Sequence, residues 1–299
     1  MTTATTSPTT HMLAVPGAEL AWDIRPNDTS TETPLLIVGS PMSASGFGTL
    51  AGHFADRTVL TYDPRGVDRS RKEDPRSEST PEQHADDLHA VIEAAGVGPV
   101  DLFATSGGAV NALALVARHP TDIRTLVAHE PPLAAILPDR EAMLAATEDV
   151  GATYQQQGFG PAMAKFIALI SQRGPITADY LGQPAPDPGM FGMPSADDGT
   201  RGDPLLEQNI RTCTHYEPEF EALRAAPTRI VFAAGAASEG EMANRGARAA
   251  AERLGSTPVV FPGGHNGFLG GEYGQTGEPD AFAATLRTVL DRGLEPTAR

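Results

Sequence analysis

Between Pro99 and Ala114 the chain reads PVDLFATSGGAVNALA. Val100 to Phe103 predicts a short buried strand, and Ala109 to Arg118 predicts a helix rich in Ala, Leu and Val. Only Ala104-Thr105-Ser106-Gly107-Gly108 lies between them, which leaves no room for a loop. A strand that turns at once into a helix forces its central residue into a tight, strained conformation, and the small neighbours around Ser106 suit that geometry. The spacing is small-x-Ser-x-Gly, that of a nucleophile elbow with Ala104 in place of the first glycine. Such a turn lifts the Ser106 hydroxyl out of the sheet edge and sets the Gly107 N–H at a helix N-terminus.

Working outward, strands and helices alternate. Met12–Val15 and Glu19–Ile24 predict an antiparallel hairpin turning at Pro16-Gly17. Pro34–Val38 predicts an apolar strand, followed by the small-residue loop GSPMSASG and a short helix over Phe47–Phe54. Arg57–Tyr62 is the next strand. Ala85, Leu88, Val91, Ile92 and Ala95 fall at helical spacing and predict a helix over Pro81–Ala95. Ile123–Ala128 predicts the strand after the elbow helix, closed by His129-Glu130-Pro131-Pro132. The alternation resumes at Thr228–Ala234, with a helix over Glu241–Leu254, a strand over Pro258–Phe261 and a closing helix over Ala281–Arg292. This pattern predicts an α/β fold with a mostly parallel, doubly wound sheet. Residues 133–223 lack strand candidates, carry helical stretches and a Pro/Gly-rich segment, and are expected to form a helical lid. The core is then residues 11–132 and 224–299, and the Thr-rich residues 1–10 read as a disordered tail.

Bulk properties narrow the function classes. A chain of 299 residues with 40% hydrophobic content suffices for one large α/β domain with an insertion. The net charge of −16 argues against non-specific binding to nucleic acid or an anionic membrane, so the expected partner is a small-molecule substrate. The single cysteine, Cys213, excludes an internal disulfide and reads as a packing residue. No secretion signal or apolar run of spanning length is present, which makes a reducing cytoplasm the expected compartment.

A serine hydroxyl needs a base, and the base needs an orienting acid. His265 directly follows a strand, sits in a Gly-rich turn and comes last in chain order; it is the candidate base. The acid has two candidates. Glu130 follows the strand after the elbow, and Glu239 lies in the loop after Ala234, where Ser238 stands at the place an aspartate would be expected. An oxyanion needs two donors. One is the Gly107 N–H; the other is the Ser40 N–H, with Met42 as the alternative. Met42, His215, Phe166 and Phe191 are candidates to touch substrate, and the lid residues Met143, Met163, Met190 and Met193 are candidates to wall an apolar pocket with the two phenylalanines.

Together these residues resemble the α/β-hydrolase superfamily. Val38-Gly39-Ser40-Pro41 corresponds to its HGxP-type oxyanion loop, with Val38 at the histidine. Asp63-Pro64-Arg65-Gly66-Val67-Asp68-Arg69-Ser70 matches its DxRGxGxS segment, with Asp68 at a usual glycine. The elbow and the Gly-His-Asn-Gly-Phe run at His265 match as well. Certain haloalkane dehalogenases of that superfamily are similar in placing a Glu after the strand following the elbow, which supports Glu130. Their nucleophile is an Asp, so Ser106 implies neither halide displacement nor epoxide opening. The resemblance implies a serine hydrolase of an ester, thioester or lactone, working without metal or organic cofactor. A perhydrolase or haloperoxidase-like enzyme, a lyase, cyclase or acyl transferase of specialised metabolism, and a non-catalytic binding protein are the alternatives.

Overall fold

A computed structural model describes residues 7–292. The hairpin forms around Gly17, whose φ of 73° suits a tight turn. It joins β1 (Thr9–Val15) to β2 (Ala18–Arg25), with Val15 opposite Ala18. β1 takes in Thr9 and Thr10, which the sequence places in a disordered tail; residues 1–6 of that tail lie outside the described residues. Next come β3 (Leu35–Val38), α1 (Gly48–Gly52), β4 (Val59–Tyr62), the two-residue β5 (Arg71–Lys72) and α2 (Pro81–Ala95). β6 (Val100–Thr105), α3 (Gly107–Arg118) and β7 (Ile123–His129) follow. The insertion carries α4 (Arg140–Gln157), α5 (Phe159–Ile170), α6 (Ile210–Thr214) and α7 (Phe220–Ala225). β8 (Arg229–Gly235), α8 (Met242–Arg253), β9 (Val259–Phe261) and α9 (Pro279–Asp291) complete the chain.

The sheet runs β1-β2-β4-β3-β6-β7-β8-β9, with β5 also on β2. From β4 to β9 every pairing is parallel; the hairpin and β5 are antiparallel. Parallel strands covered on both faces read as unbroken apolar runs, and Leu35–Val38 and Val59–Tyr62 are buried throughout. One face packs on α2, α3 and α8 through Leu88, Val91, Leu113, Val116 and Ala250. The other packs on α1 and α9 through Phe47, Phe54, Phe103, Phe282 and Leu286.

α2 has the bounds its pattern predicts because both ends are capped. Thr80 and Gln83 form a reciprocal capping box, Pro81 opens the first turn, and Gly96 closes it at φ 65°. The DxRG segment is structural. The Asp63 carboxylate accepts the Ala44 N–H at 2.9 Å and the Arg69 Nε–H at 2.7 Å, and Ser70 Oγ joins the Asp63 carbonyl to the Ala21 N–H. Asp68 takes up φ 49° where the superfamily pattern has glycine. Arg65 reaches α2 and holds Asp87 bidentately, Nε to Oδ2 at 2.7 Å and Nη2 to Oδ1 at 2.5 Å, both residues being buried.

Between β7 and β8 no strand occurs among the described residues. Met143, Val150, Tyr154, Leu169, Leu206 and Ile210 make a separate small core there. The insertion does not stay apart to residue 223, however: Cys213 and Leu223 pack into the first sheet face. A π-helical turn over Pro204–Asn209 leads into α6 and brings this return about.

Removing one partner of a buried ion pair strands the other charge. Asp87→Ala is expected to lower unfolding free energy by about 3–5 kcal/mol. A urea midpoint measured for the variant beside the parent chain checks this.

Candidate active site

The turn between β6 and α3 has the predicted conformation. Ser106 sits at φ 57°, ψ −132°, a region that side-chain-bearing residues rarely adopt. Two features hold it there. Its N–H donates to the His129 carbonyl at 3.0 Å, and its carbonyl accepts the Ala109 N–H at 2.9 Å. The glycines after it are required by contact: a Cβ on Gly107 would lie 2.6 Å from the Ser40 carbonyl oxygen, and one on Gly108 would lie 2.8 Å from Gly39. The loop after β3 is therefore pressed against the start of α3, which brings Ser40 beside the elbow.

Ser106, Ser40, Gly107 and His265 line one cavity of about 590 Å³. The His265 ring arrives on the turn after β9, and its Nδ1 lies 2.7 Å from Glu130 Oε2. No hydrogen bond joins His265 to Glu239 among the described residues; Glu130, directly after β7, holds the ring. Glu130 is fully buried and has φ 48°. Its other oxygen accepts the Gly235 N–H at 2.8 Å, the Ser238 hydroxyl at 2.5 Å and an Asn244 amide proton at 3.0 Å. Burial pushes the carboxyl pKa up, but the hydrogen bonds from His265 and Ser238 outweigh it and bring it down to about 2. The group is thus an anion at neutral pH and only accepts, so the His265 Nδ1–H is the donor of this bond and Nε2 is the ring nitrogen left free of Glu130. Among the described residues the Ser106 hydroxyl has no hydrogen-bond partner, and resting active sites often hold such pairs apart.

Beneath this group lies His129, fully buried, with Nδ1 2.9 Å from Thr105 Oγ1. Burial pushes its pKa down to about 4, which keeps it neutral beside the Glu130 anion. Cys213 lines the cavity too, but burial pushes its thiol up to about 12, so it packs against the elbow and supplies no thiolate.

The candidate substrate contacts divide. Met42 and Phe166 line the cavity. His215 does not: it bonds Thr214 and lies 3.3 Å from Glu148 of α4. Phe191 is also absent from the wall, as are Met163, Met190 and Met193, and Met143 is buried inside the insertion's own core. The apolar wall is instead built from Leu169, Ile170, Leu205, Ile210 and Met242. Helical spacing reports burial but not which buried face meets a cavity, and that is the source of the difference. Tyr273 at the cavity edge and the Ser238–Asn244 support of Glu130 lie outside the residues the sequence pattern singles out. The serine standing where an aspartate is expected was the available signal for that support.

The family model described as the alpha/beta hydrolase fold matches residues 35–181. The uncharacterized hydrolase YraK of Bacillus subtilis (strain 168) is 30% identical over 263 residues, covering 86% of this chain and 89% of its own. A thermophilic esterase from Thermogutta terrifontis superposes with a TM-score of 0.64 at 19% identity, over 96% of this chain and 99% of that one. The enol-lactonase from Burkholderia xenovorans LB400 does so with a TM-score of 0.64 at 18% identity, over 94% and 99%.

A carboxyl held below its ordinary pKa of 4.5 contributes stability that is complete above that value and is lost as pH falls toward about 2. Glu130→Gln removes this contribution, while the other carboxylates are common to both chains. Between pH 5 and pH 3 the parent is expected to lose roughly 2 kcal/mol more than the variant, read from urea midpoints.

Proposed function

The chain belongs to the α/β-hydrolase family and is an enzyme of that fold, and we propose from this that it is a serine hydrolase of an ester, thioester or lactone with a medium-sized apolar part. The observation that carries the proposal is the 2.7 Å bond between His265 and the buried Glu130 anion, on a ring that shares a cavity with the strained Ser106. The esterase and lactonase likenesses agree with this substrate class.

In the proposed mechanism Ser106 Oγ adds to the substrate carbonyl carbon as its proton passes to His265 Nε2. The carbonyl electron pair moves to oxygen, where the N–H groups of Ser40 and Gly107 receive it; one such donor is worth on the order of 3 kcal/mol. Glu130 keeps the ring in register and stabilises the imidazolium that forms. The intermediate collapses, His265 returns the proton to the leaving oxygen or sulfur, and an acyl group remains on Ser106. Water, deprotonated by His265, then repeats the sequence and frees the acid. The cavity volume and the Leu169, Ile170, Leu205 and Met242 wall suit an apolar acyl or ring portion.

Ser106→Ala is expected to abolish p-nitrophenyl butyrate turnover, and a fluorophosphonate probe is expected to label the parent at Ser106 alone. Retained turnover in that variant would overturn the proposal, and an unlabelled parent would favour a binding protein. Glu130→Gln is expected to lower kcat on the order of 10³- to 10⁴-fold while Glu239→Gln stays near the parent, and the reverse order of effects would move the acid.

A further inference from the structure

The cavity that holds Ser106 and His265 is unequal in charge. Among the described residues no Lys, Arg or Asp lines it, and Glu241 is the one carboxylate in its wall. The neutral polar side chains there are mostly occupied. Thr147, Ser171 and Thr214 donate their hydroxyl protons to main-chain carbonyls of their own helical segments at 2.9, 2.7 and 2.7 Å. Glu241 differs. It stands at the N-cap of α8, whose first residues Met242 and Ala243 also line the cavity. An N-cap side chain ordinarily turns back onto the helix N–H groups. That of Glu241 does not, and among the described residues its carboxylate accepts no hydrogen bond. Arg173 Nη2 lies 3.7 Å from Oε1, but the same nitrogen donates to the Ala237 carbonyl at 2.8 Å and the Arg173 side chain is 63% exposed. A pair of that kind is worth little in water. Burial and then the Glu130 anion push the Glu241 carboxyl upward, while Arg173 and His265 draw it down, so this charge is within electrostatic reach of the imidazole.

We infer that Glu241 sets the charge preference of the cavity: it favours esters or thioesters that carry a basic nitrogen and rejects those that carry a carboxylate. This rests on the hydrolase reading above and narrows its substrate class. The apolar wall receives the hydrocarbon part of the substrate, and the half-buried carboxylate, with its acceptor positions unfilled, receives an ammonium. A substrate carboxylate finds no cation in the wall and a like charge at its edge. Charge selection of this sort works by refusal as much as by attraction. Glu241 makes and breaks no bond; the transferred proton still travels between Ser106, His265 and the leaving atom.

Two series of substrates test this at pH 8, where a raised carboxyl is still charged. Butyryl thioesters of thiocholine, 3,3-dimethylbutanethiol and 3-mercaptopropionate place a positive, a neutral and a negative group on the thiol side. The p-nitrophenyl esters of 4-aminobutyrate, butyrate and succinate do so on the acyl side. In at least one series kcat/KM is expected to be on the order of 10-fold higher for the cationic than for the anionic member. Added NaCl is expected to shrink that ratio in the parent. Glu241→Gln is expected to bring it toward unity, and Glu241→Lys to reverse it; a change of pocket shape alone would move all three members together. Where turnover is slow or a variant folds poorly, the parent is read instead by protection of Ser106 from a fluorophosphonate probe. The protecting agents are 3-(aminomethyl)phenylboronic, phenylboronic and 3-carboxyphenylboronic acid, and the cationic one is expected to protect best. A labelled parent whose ratio lies within about twofold of unity in both series and in the boronic acids overturns the role of Glu241, as does a ratio that Glu241→Gln leaves unchanged. An unlabelled parent is instead the failure of the hydrolase reading.

Discussion

An ionised carboxylate with no solvent contact is the constraint around which the cavity end of this molecule is arranged. Placed alone in an apolar medium, Glu130 would take up a proton. Four donors prevent it: the His265 ring, the Gly235 N–H, the Ser238 hydroxyl and the Asn244 amide. They come from the ends of β8 and β9 and from α8, so one charge ties together the last third of the chain. The same bonds orient the His265 ring and determine which of its nitrogens is free. Stability and ring orientation here share one set of contacts, and a change that loosens the carboxylate also misplaces the imidazole.

Strain gathers around the same cavity. Among the described residues four without a glycine's freedom adopt positive φ: Asp68, Ser106, Glu130 and Tyr273. Ser106 and Glu130 lie immediately past neighbouring parallel strands, and Tyr273 stands at the cavity rim. Each such residue costs on the order of 1–3 kcal/mol and persists only where its surroundings over-determine it. For Ser106 the surroundings are the His129 carbonyl behind it and two glycines that let the Gly39-Ser40 backbone close in. Asp68 is remote from this, in a segment whose Asp63, Arg65, Arg69 and Ser70 fasten the hairpin and α2 to the sheet.

What could be read from the chain follows the range of the forces involved. α2 was legible to the residue because its capping box, its Pro81 and its Gly96 are all local. The elbow was legible because strain there demands small neighbours within a few positions. His265 was legible from its place after a short strand, and its carboxylate partner was narrowed to two glutamates. The rest depends on contacts distant in sequence. Glu130 and Ser238 are 108 positions apart, and nothing near either one announces the 2.5 Å bond between them. The cavity wall was read less well, since an apolar residue such as Met143 obeys the same periodicity whether it faces a ligand or the insertion's own core.

The position of the carboxylate that holds His265 follows from the sheet. β7 and β8 are parallel neighbours, and His129 pairs with Ala233, so the residue after β7 and the loop after β8 emerge side by side. A carboxylate on either strand end can reach an imidazole arriving after β9. With the carboxylate just past β7, the place on the β8 loop is left beside a buried anion. A second carboxylate there would set two like charges in one site, whereas a hydroxyl supplies a proton to the first. Ser238 is therefore the complement that a glutamate on the neighbouring strand calls for. Nearby Glu241 feels the alternative directly: burial and then the Glu130 charge push its carboxyl upward, even at the half-exposed cavity edge.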